Sequence, residues 1–280
     1  MGTLYQRLPL RGGYSFIART YRTPLFETPW HQHDEFELVL CNGSSGTAFI
    51  GNYIGPYHEG EVYLLGNNLP HWFKKRNDSM TGKAIVVQFN KDLFGDQLNK
   101  LPELKTIKTL LNLSNSGIQL RSTLNTNIRK KLKKIEHQAP FERYLTLLSC
   151  LYDISTSHQY NQLSNVYYDA IPKEEFKRIR KVFEYSYNHF KDNITLQQMA
   201  DLTNQSVSNF CKYFKQNTKK TYIDFLNDIR LNYACTKLRT SEDSITQICY
   251  DSGFRNWSNF SVQFKKRYNA SPSEYRKMSE

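Results

Sequence analysis

The sequence predicts an α+β multidomain chain: a small N-terminal β-barrel, a helical middle, and an all-α C-terminal part carrying two helix-turn-helix units. Three observations predict it. The first hundred residues are short apolar runs punctuated by glycine. The apolar spacing turns helical after about residue 92. A segment near the C-terminus occurs twice, 50 residues apart. With 280 residues, the chain is long enough for two domains, each burying its own core.

The strand-rich part comes first. Phe36, Leu38 and Leu40 alternate with Glu37, Val39 and Cys41, and residues 84–89 form another β-rich run. Gly43, Gly46, Gly51, Gly60 and Gly66 punctuate the segments between them. Many short strands separated by glycine turns suggest a sandwich or a barrel.

Helical spacing follows. Residues 101–113 place apolar side chains at 104, 107, 110 and 111. After a brief, extended break at 117–120, residues 124–138 return to helix with a basic run at 129–134, read as a solvated face. Pro140 opens a third helix, residues 141–157, with a wide apolar stripe that must pack on the barrel or on a second subunit; a homodimer is expected. Residues 159–169 are polar and read as a linker. The expected parts are therefore 1–95, 96–165 and 172–280.

Charge is uneven. Lys+Arg is 38 against Asp+Glu 26, with a pI near 9.3. Residues 1–100 carry 10 basic and 9 acidic side chains, residues 101–170 carry 9 and 5, and residues 171–280 carry 19 and 12. The excess sits away from the N-terminal third, and nucleic acid is the partner it most often marks. Five cysteines occur with no C-x-x-C pair, which argues against a disulfide framework or a zinc site. No signal-type or membrane-spanning apolar run is evident, so a cytoplasmic protein without membrane partners is expected.

The repeat carries the functional reading. Residues 207–215 (VSNFCKYFK) match residues 257–265 (WSNFSVQFK) at five of nine positions. Each is preceded by a short helix with a start signal, Thr195-x-x-Gln198 and Ser244-x-x-Gln247, the pattern of a capping box. Each short helix reaches a residue that tolerates the left-handed conformation, Asn204 or Gly253. Phe210/Phe214 and Phe260/Phe264 then give each second helix an apolar face. Two helices joined by a tight turn, the second amphipathic with small polar residues at its start, make a helix-turn-helix. Double-stranded DNA is the expected partner. Between the units, residues 222–238 would form a helix about 25 Å long, able to hold two second helices near one DNA turn apart, roughly 34 Å.

Residues 172–280 resemble the DNA-binding domain of AraC/XylS-family transcription regulators. Ala200, Phe210, Phe214, Arg230, Leu231 and Ala234 carry the resemblance first. Residues 245–248, Gly253, Phe254, 258–260, Phe264, Lys265, Ser271, Pro272, Tyr275 and Arg276 continue it. Three positions depart from the pattern: Lys219 stands where glycine is usual, Tyr222 where proline is usual, and Asn204 where glycine is common. The resemblance implies DNA contacts from Ser206, Ser208, Cys211, Lys212 and Lys215 in the first unit. In the second it implies Asn256, Trp257, Ser258, Asn259, Ser261, Val262 and Lys265. It also implies a regulator rather than an enzyme, and a contact with RNA polymerase if that regulator activates.

His31-x-His33-x-x-x-Glu37 is the sharpest pattern in the N-terminal part, and on one strand all three would share a face. His71 follows Pro70. The spacing resembles the two cupin motifs, closely in the first and loosely in the second, and a cupin-like effector-sensing domain is what the family resemblance implies. Three histidines and a glutamate could ligate a divalent transition metal, contact an organic effector, or serve structure alone. The effector reading is preferred and no cofactor is expected. Trp30 and Trp72, with Tyr63 and Phe73, flank the set, which suits a sugar or another small polar ligand. A cupin-type metalloenzyme and an architectural DNA-binding protein are the alternatives.

Overall fold

The computed structural model describes residues 15–22, 28–76, 81–166, 168 and 172–278. The chain separates between Pro172 and Lys173 into two compact units.

Among the described residues, the N-terminal unit is built on nine strands: β1 (Ile17–Arg22), β2 (Phe36–Cys41), β3 (Gly46–Ile50), β4 (Tyr53–Tyr57), β5 (Val62–Leu65), β6 (His71–Lys75), β7 (Lys83–Phe89), β8 (Ile118–Leu120) and β9 (Tyr160–Gln162). They form a six-stranded sheet, β1-β7-β2-β5-β8-β9, and a three-stranded sheet, β4-β3-β6. The sheets share no hydrogen-bonded edge among the described residues, so the barrel stays open.

Alternation along the strands explains the layers. Phe36, Leu38 and Leu40 of β2, Val62 and Leu64 of β5, and Ile85, Val87 and Phe89 of β7 face one core. That core is completed by α2 (Lys105–Leu113), α3 (Ser122–Ile135) and α4 (Pro140–Ser157). Val39, Cys41, Tyr63, Leu65, Ala84 and Val86 face the other way and meet Ala48, Ile50, Tyr57 and Phe73 of the smaller sheet. The central strands are thus apolar on both faces because both faces are covered.

The helices of 96–165 are part of this unit. A short α1 (Gln97–Lys100) and a 3-10 turn at Pro102–Leu104 precede α2, so the expected single helix over 101–113 is broken at Pro102, whose ring fits only a first turn. The extended break becomes β8. Residues 159–169, expected to be a linker, instead supply β9, which pairs with β8 in the register Ile118↔Gln162 to Leu120↔Tyr160. Leu163 N–H and Ser164 N–H continue the pairing onto Gly117 O and Ser116 O.

The C-terminal unit is all helical: α5 (Lys173–His189), α6 (Leu196–Leu202), α7 (Val207–Thr218), α8 (Tyr222–Thr240), α9 (Ile245–Asp251), α10 (Trp257–Tyr268) and α11 (Pro272–Lys277). α6–α7 and α9–α10 are the two helix-turn-helix units. From Phe225 to Leu238 no residue of α8 is exposed: Phe225, Leu226, Ile229, Leu231, Ala234, Cys235 and Leu238 are among its buried residues, as is Tyr222 in its first turn. Its first half meets α5 and the first unit, with Phe225 4.3 Å from Phe183 of α5 and 5.3 Å from Phe214 of α7, ring centre to ring centre. Its second half meets Ile248, Cys249, Phe254, Phe260 and Phe264 of the second. Phe→Ala at any of these buried rings would cost about 3–5 kcal/mol.

All five cysteines are free, four of them buried. No described helix is long and apolar enough to cross a membrane.

Candidate nucleic-acid interface and buried histidine cluster

The helix-turn-helix geometry is built from local signals. Thr195 caps α6 with a complete capping box: its side chain accepts from Gln198 N–H, and the Gln198 side chain accepts from Thr195 N–H. Ser244 caps α9 in the same way from its own side. Gln247, however, turns away and donates to Asp251 Oδ1 at 2.8 Å, so the second box is only half formed. The turns adopt the left-handed conformation, at φ 54° for Asn204 and 84° for Gly253.

Each second helix buries two phenylalanines, Phe210 and Phe214 or Phe260 and Phe264, and exposes the opposite face. Ser208, Lys212 and Lys215 are exposed on α7, and Cys211 is half-buried. Trp257, Ser258, Asn259, Val262 and Lys265 are exposed on α10, and Ser261 is half-buried. Ser206 and Asn256 are exposed too, but their side chains already cap these helices, accepting from Asn209 N–H at 3.3 Å and Asn259 N–H at 2.7 Å. Arg267, two residues after Lys265, pairs with Asp228 of α8 at 3.4 Å. Lys220 pairs with the same carboxylate.

The three departures from the family pattern are absorbed locally. Lys219 takes a positive φ of 59° at the C-cap of α7, where its own backbone N–H reaches Lys215 O. Tyr222 replaces proline at the start of α8, and its buried ring joins Phe210 and Phe214, with its hydroxyl 2.9 Å from Ser186 Oγ.

The exposed faces and the fold define a DNA-binding transcription regulator. Residues 199–278 match the family model described as "Helix-turn-helix domain". The chain is 25% identical over 267 residues to the HTH-type transcriptional activator RhaS of Enterobacter sp. (strain 638), covering 94% of this chain and 93% of that one. It is 27% identical over 260 residues to RhaS of Mannheimia succiniciproducens, covering 91% of each. The C-terminal domain of AraT, a response regulator from Geobacillus stearothermophilus, is 29% identical over 36% of this chain, with a TM-score of 0.35. Along nearly its whole length, then, the chain is similar to HTH-type transcriptional activators, and residues 199–278 carry the helix-turn-helix domain.

The histidine pattern also converges, by a different route from the one its spacing suggests. Residues 31–37 are not one strand. β2 begins only at Phe36. His31 forms an isolated antiparallel bridge with His71, with backbone hydrogen bonds of 3.0 and 2.8 Å, and His33 lies in the irregular stretch between. The bridge places the His31 and His71 rings 4.2 Å apart and His33 5.1 Å from His71. Glu37, on the inter-sheet face of β2, lies 3.1 Å from His33 Nε2 and 3.9 Å from His71 Nε2.

Gln88 completes the cluster. It sits opposite Glu37 in the β2–β7 register and donates to Glu37 Oε2 at 2.7 Å. Its signal in the sequence was a lone amide near the end of an apolar β run. Trp72 does not join. As the neighbour of His71 on β6 it points to the other face, where it stacks on Phe49 at 5.2 Å. Trp30 is buried.

The electrostatics follow from burial and proximity. Burial pulls the His33 imidazole down, but the hydrogen bond and charge of Glu37 outweigh it and hold His33 above its ordinary value. Burial pushes the Glu37 carboxyl up, yet His33, His71 and His31 bring it down to about 2. Burial, only partly offset by Glu37, takes His71 down to about 4, and burial together with its two histidine neighbours takes His31 well below the usual range. The cluster therefore favours a proton on His33 beside an ionised Glu37, and disfavours one on His31 or His71.

These residues fit a divalent transition metal. One nitrogen from each of His31, His33 and His71 lies within 4.8 Å of the others. Nδ1–H of His33 and of His71 is held by Glu35 O and Leu69 O at 3.0 and 2.8 Å, which turns each Nε2 inward. His71 Nε2 and His31 Nδ1 are buried with no hydrogen-bond partner among the described residues. A tetrahedral metal with ~2.0–2.1 Å bonds would bring its nitrogens to about 3.4 Å, so the set would close slightly around an ion. His31, His33 and His71 would hold it, with Glu37 balancing its charge. The same lone pairs can accept hydrogen bonds from ligand hydroxyls.

Proposed function

We propose that the N-terminal unit is a cupin-like sensor, and that a small polar effector, a sugar or a molecule like it, contacts His31, His33, Glu37 and His71. The observation that carries this is the pair of imidazole nitrogens, His71 Nε2 and His31 Nδ1, that are buried beside the His33–Glu37 pair without a hydrogen-bond partner among the described residues. A buried polar atom without a partner costs about 1–3 kcal/mol, and a ligand hydroxyl would relieve it. α7 and α10 are the recognition helices in this reading. Ser208, Cys211 and Lys212, with Trp257, Ser258, Ser261 and Val262, face the bases, and Lys215 and Lys265 face phosphates.

The chain acts as a homodimeric activator that touches RNA polymerase, in the cytoplasm. Support for the dimer comes from α4, where Phe141, Leu145 and Tyr152 are 71, 46 and 53% exposed along one stripe that a second copy would cover. Leu145→Glu should shift sedimentation of the full chain toward monomer.

The effector reading is tested by thermal shift of the full chain against a panel of monosaccharides, followed by a promoter reporter with the same compounds. The double variant His31→Ala/His33→Ala should lose both responses and still bind DNA. A response that survives the double substitution would place the effector elsewhere.

A further inference from the structure

The two second helices share one scaffold but present different chemistry at their outermost position. The repeat aligns Lys212 of α7 with Val262 of α10, and Val207 with Trp257. Val262 lies opposite the face that buries Phe260 and Phe264, and it is 64% exposed. Trp257 is 41% exposed, with its ring 5.6 Å from Phe260. Neither contributes to the core as a buried side chain would. A β-branched residue is also a poor choice for an exposed helix position. Around them the face is small and polar, Ser258 and Ser261, and then basic, Lys265 and Lys266.

The major groove offers one apolar group, the C5-methyl of thymine. Lysine, by contrast, donates to guanine O6 and N7. We infer that Val262 and Trp257 of the second unit read thymine methyl groups, while Lys212 of the first unit reads guanine. A single chain then recognises an asymmetric site, guanine-bearing on one side and thymine-bearing on the other. This rests on α7 and α10 being the helices that enter the groove.

The test begins with selection of duplexes from a randomised synthetic pool by the full chain. That DNA carries no methylcytosine, so thymine is its only source of a pyrimidine C5-methyl. Each thymine of the selected site is then replaced by deoxyuridine, which removes the methyl and nothing else. One or two positions in one half should lose about fourfold in affinity, the worth of one buried methyl-sized group. Val262→Ser should erase the discrimination at the position that Val262 reads, without moving the melting temperature because the side chain is exposed, and Trp257→Ala should erase it at the position that Trp257 reads. Val262→Lys should replace the thymine preference in that half by guanine. Deoxyuridine that is neutral at every position, or discrimination that survives both Val262→Ser and Trp257→Ala, overturns the assignment. Failure to enrich any duplex would instead overturn the placement of α7 and α10 on DNA.

Discussion

The turns of the two helix-turn-helix units solve one problem in two ways. Both need a residue at positive φ. The first uses Asn204, an exposed residue with a side chain. The second uses Gly253, which is buried, and a Cβ there would come 2.4 Å from Phe190 O and 2.9 Å from Lys191 Cα. The same Phe190 carbonyl accepts from Arg230 Nε of α8 at 2.8 Å, so it cannot move away. Asparagine answers a backbone requirement only. Glycine answers that requirement and a packing one, and the two turns are therefore not interchangeable.

Substitution at the turns should show the largest difference. Gly253→Ala combines left-handed strain with overlap onto fixed backbone, each about 1–3 kcal/mol. It should destabilise the C-terminal unit by about 3 kcal/mol in denaturant titration and abolish DNA binding. Asn204→Gly should change stability by less than about 1 kcal/mol. Equal losses from the two would end the distinction.

A second contrast sets the buried cluster of the N-terminal unit against the open faces of the C-terminal one. His31 and His71 are held neutral when folded but protonate near pH 6.5 when unfolded. The unfolded chain therefore binds more protons below that pH, and stability falls as pH drops from about 6.5 toward 4. Glu37, with its folded value near 2, adds a further loss as pH falls through the carboxylate range. His33 acts in the opposite sense: its contribution is full below about 6.5 and fades as pH rises through its raised folded value. Two depressed histidines outweigh one raised, so the N-terminal unit should melt lower at pH 5 than at pH 7.5, and His71→Gln should flatten that slope. A pH-independent melt would contradict the neutral assignment of the two rings.

The caps give a smaller effect. Thr195→Ala breaks a reciprocal box and should cost about 1 kcal/mol, while Ser244→Ala breaks a single bond and should cost less, about 0.5 kcal/mol. Chemical denaturation of the full chain resolves the order. Smallest is Lys219→Gly, which relieves a left-handed lysine and should stabilise by about 0.5 kcal/mol.

The C-terminal half of this architecture was legible in the sequence because duplication repeats its packing positions. Phe210, Phe214, Phe260 and Phe264 are visible as pairs and are all buried. Chemistry that depends on partners was less visible. Gln198 and Gln247 occupy equivalent box positions, yet only Gln198 reaches back, since Asp251 offers Gln247 a competing acceptor one turn on. In the N-terminal half, alternation identified β2 and β7. β8 and β9 have three residues each, too few to show a period, and their pairing spans about 40 residues of sequence. The four cluster residues were identified by type and spacing, but the geometry that joins them is the His31–His71 bridge, which no local pattern encodes.

The enclosure of α8 between Phe225 and Leu238 has a consequence for how the C-terminal unit opens. α6 and α9 have seven residues each, far below the length at which an isolated helix holds in water. Both depend on units packed against the one central helix, and Asp228 ties that helix to Lys220 and to Arg267. Neither repeat can then melt while the other persists intact. In hydrogen exchange, the amides around Ile229, Leu231 and Asn232 should be the slowest of this unit. They should exchange together, at the rate of its global opening rather than through local fraying.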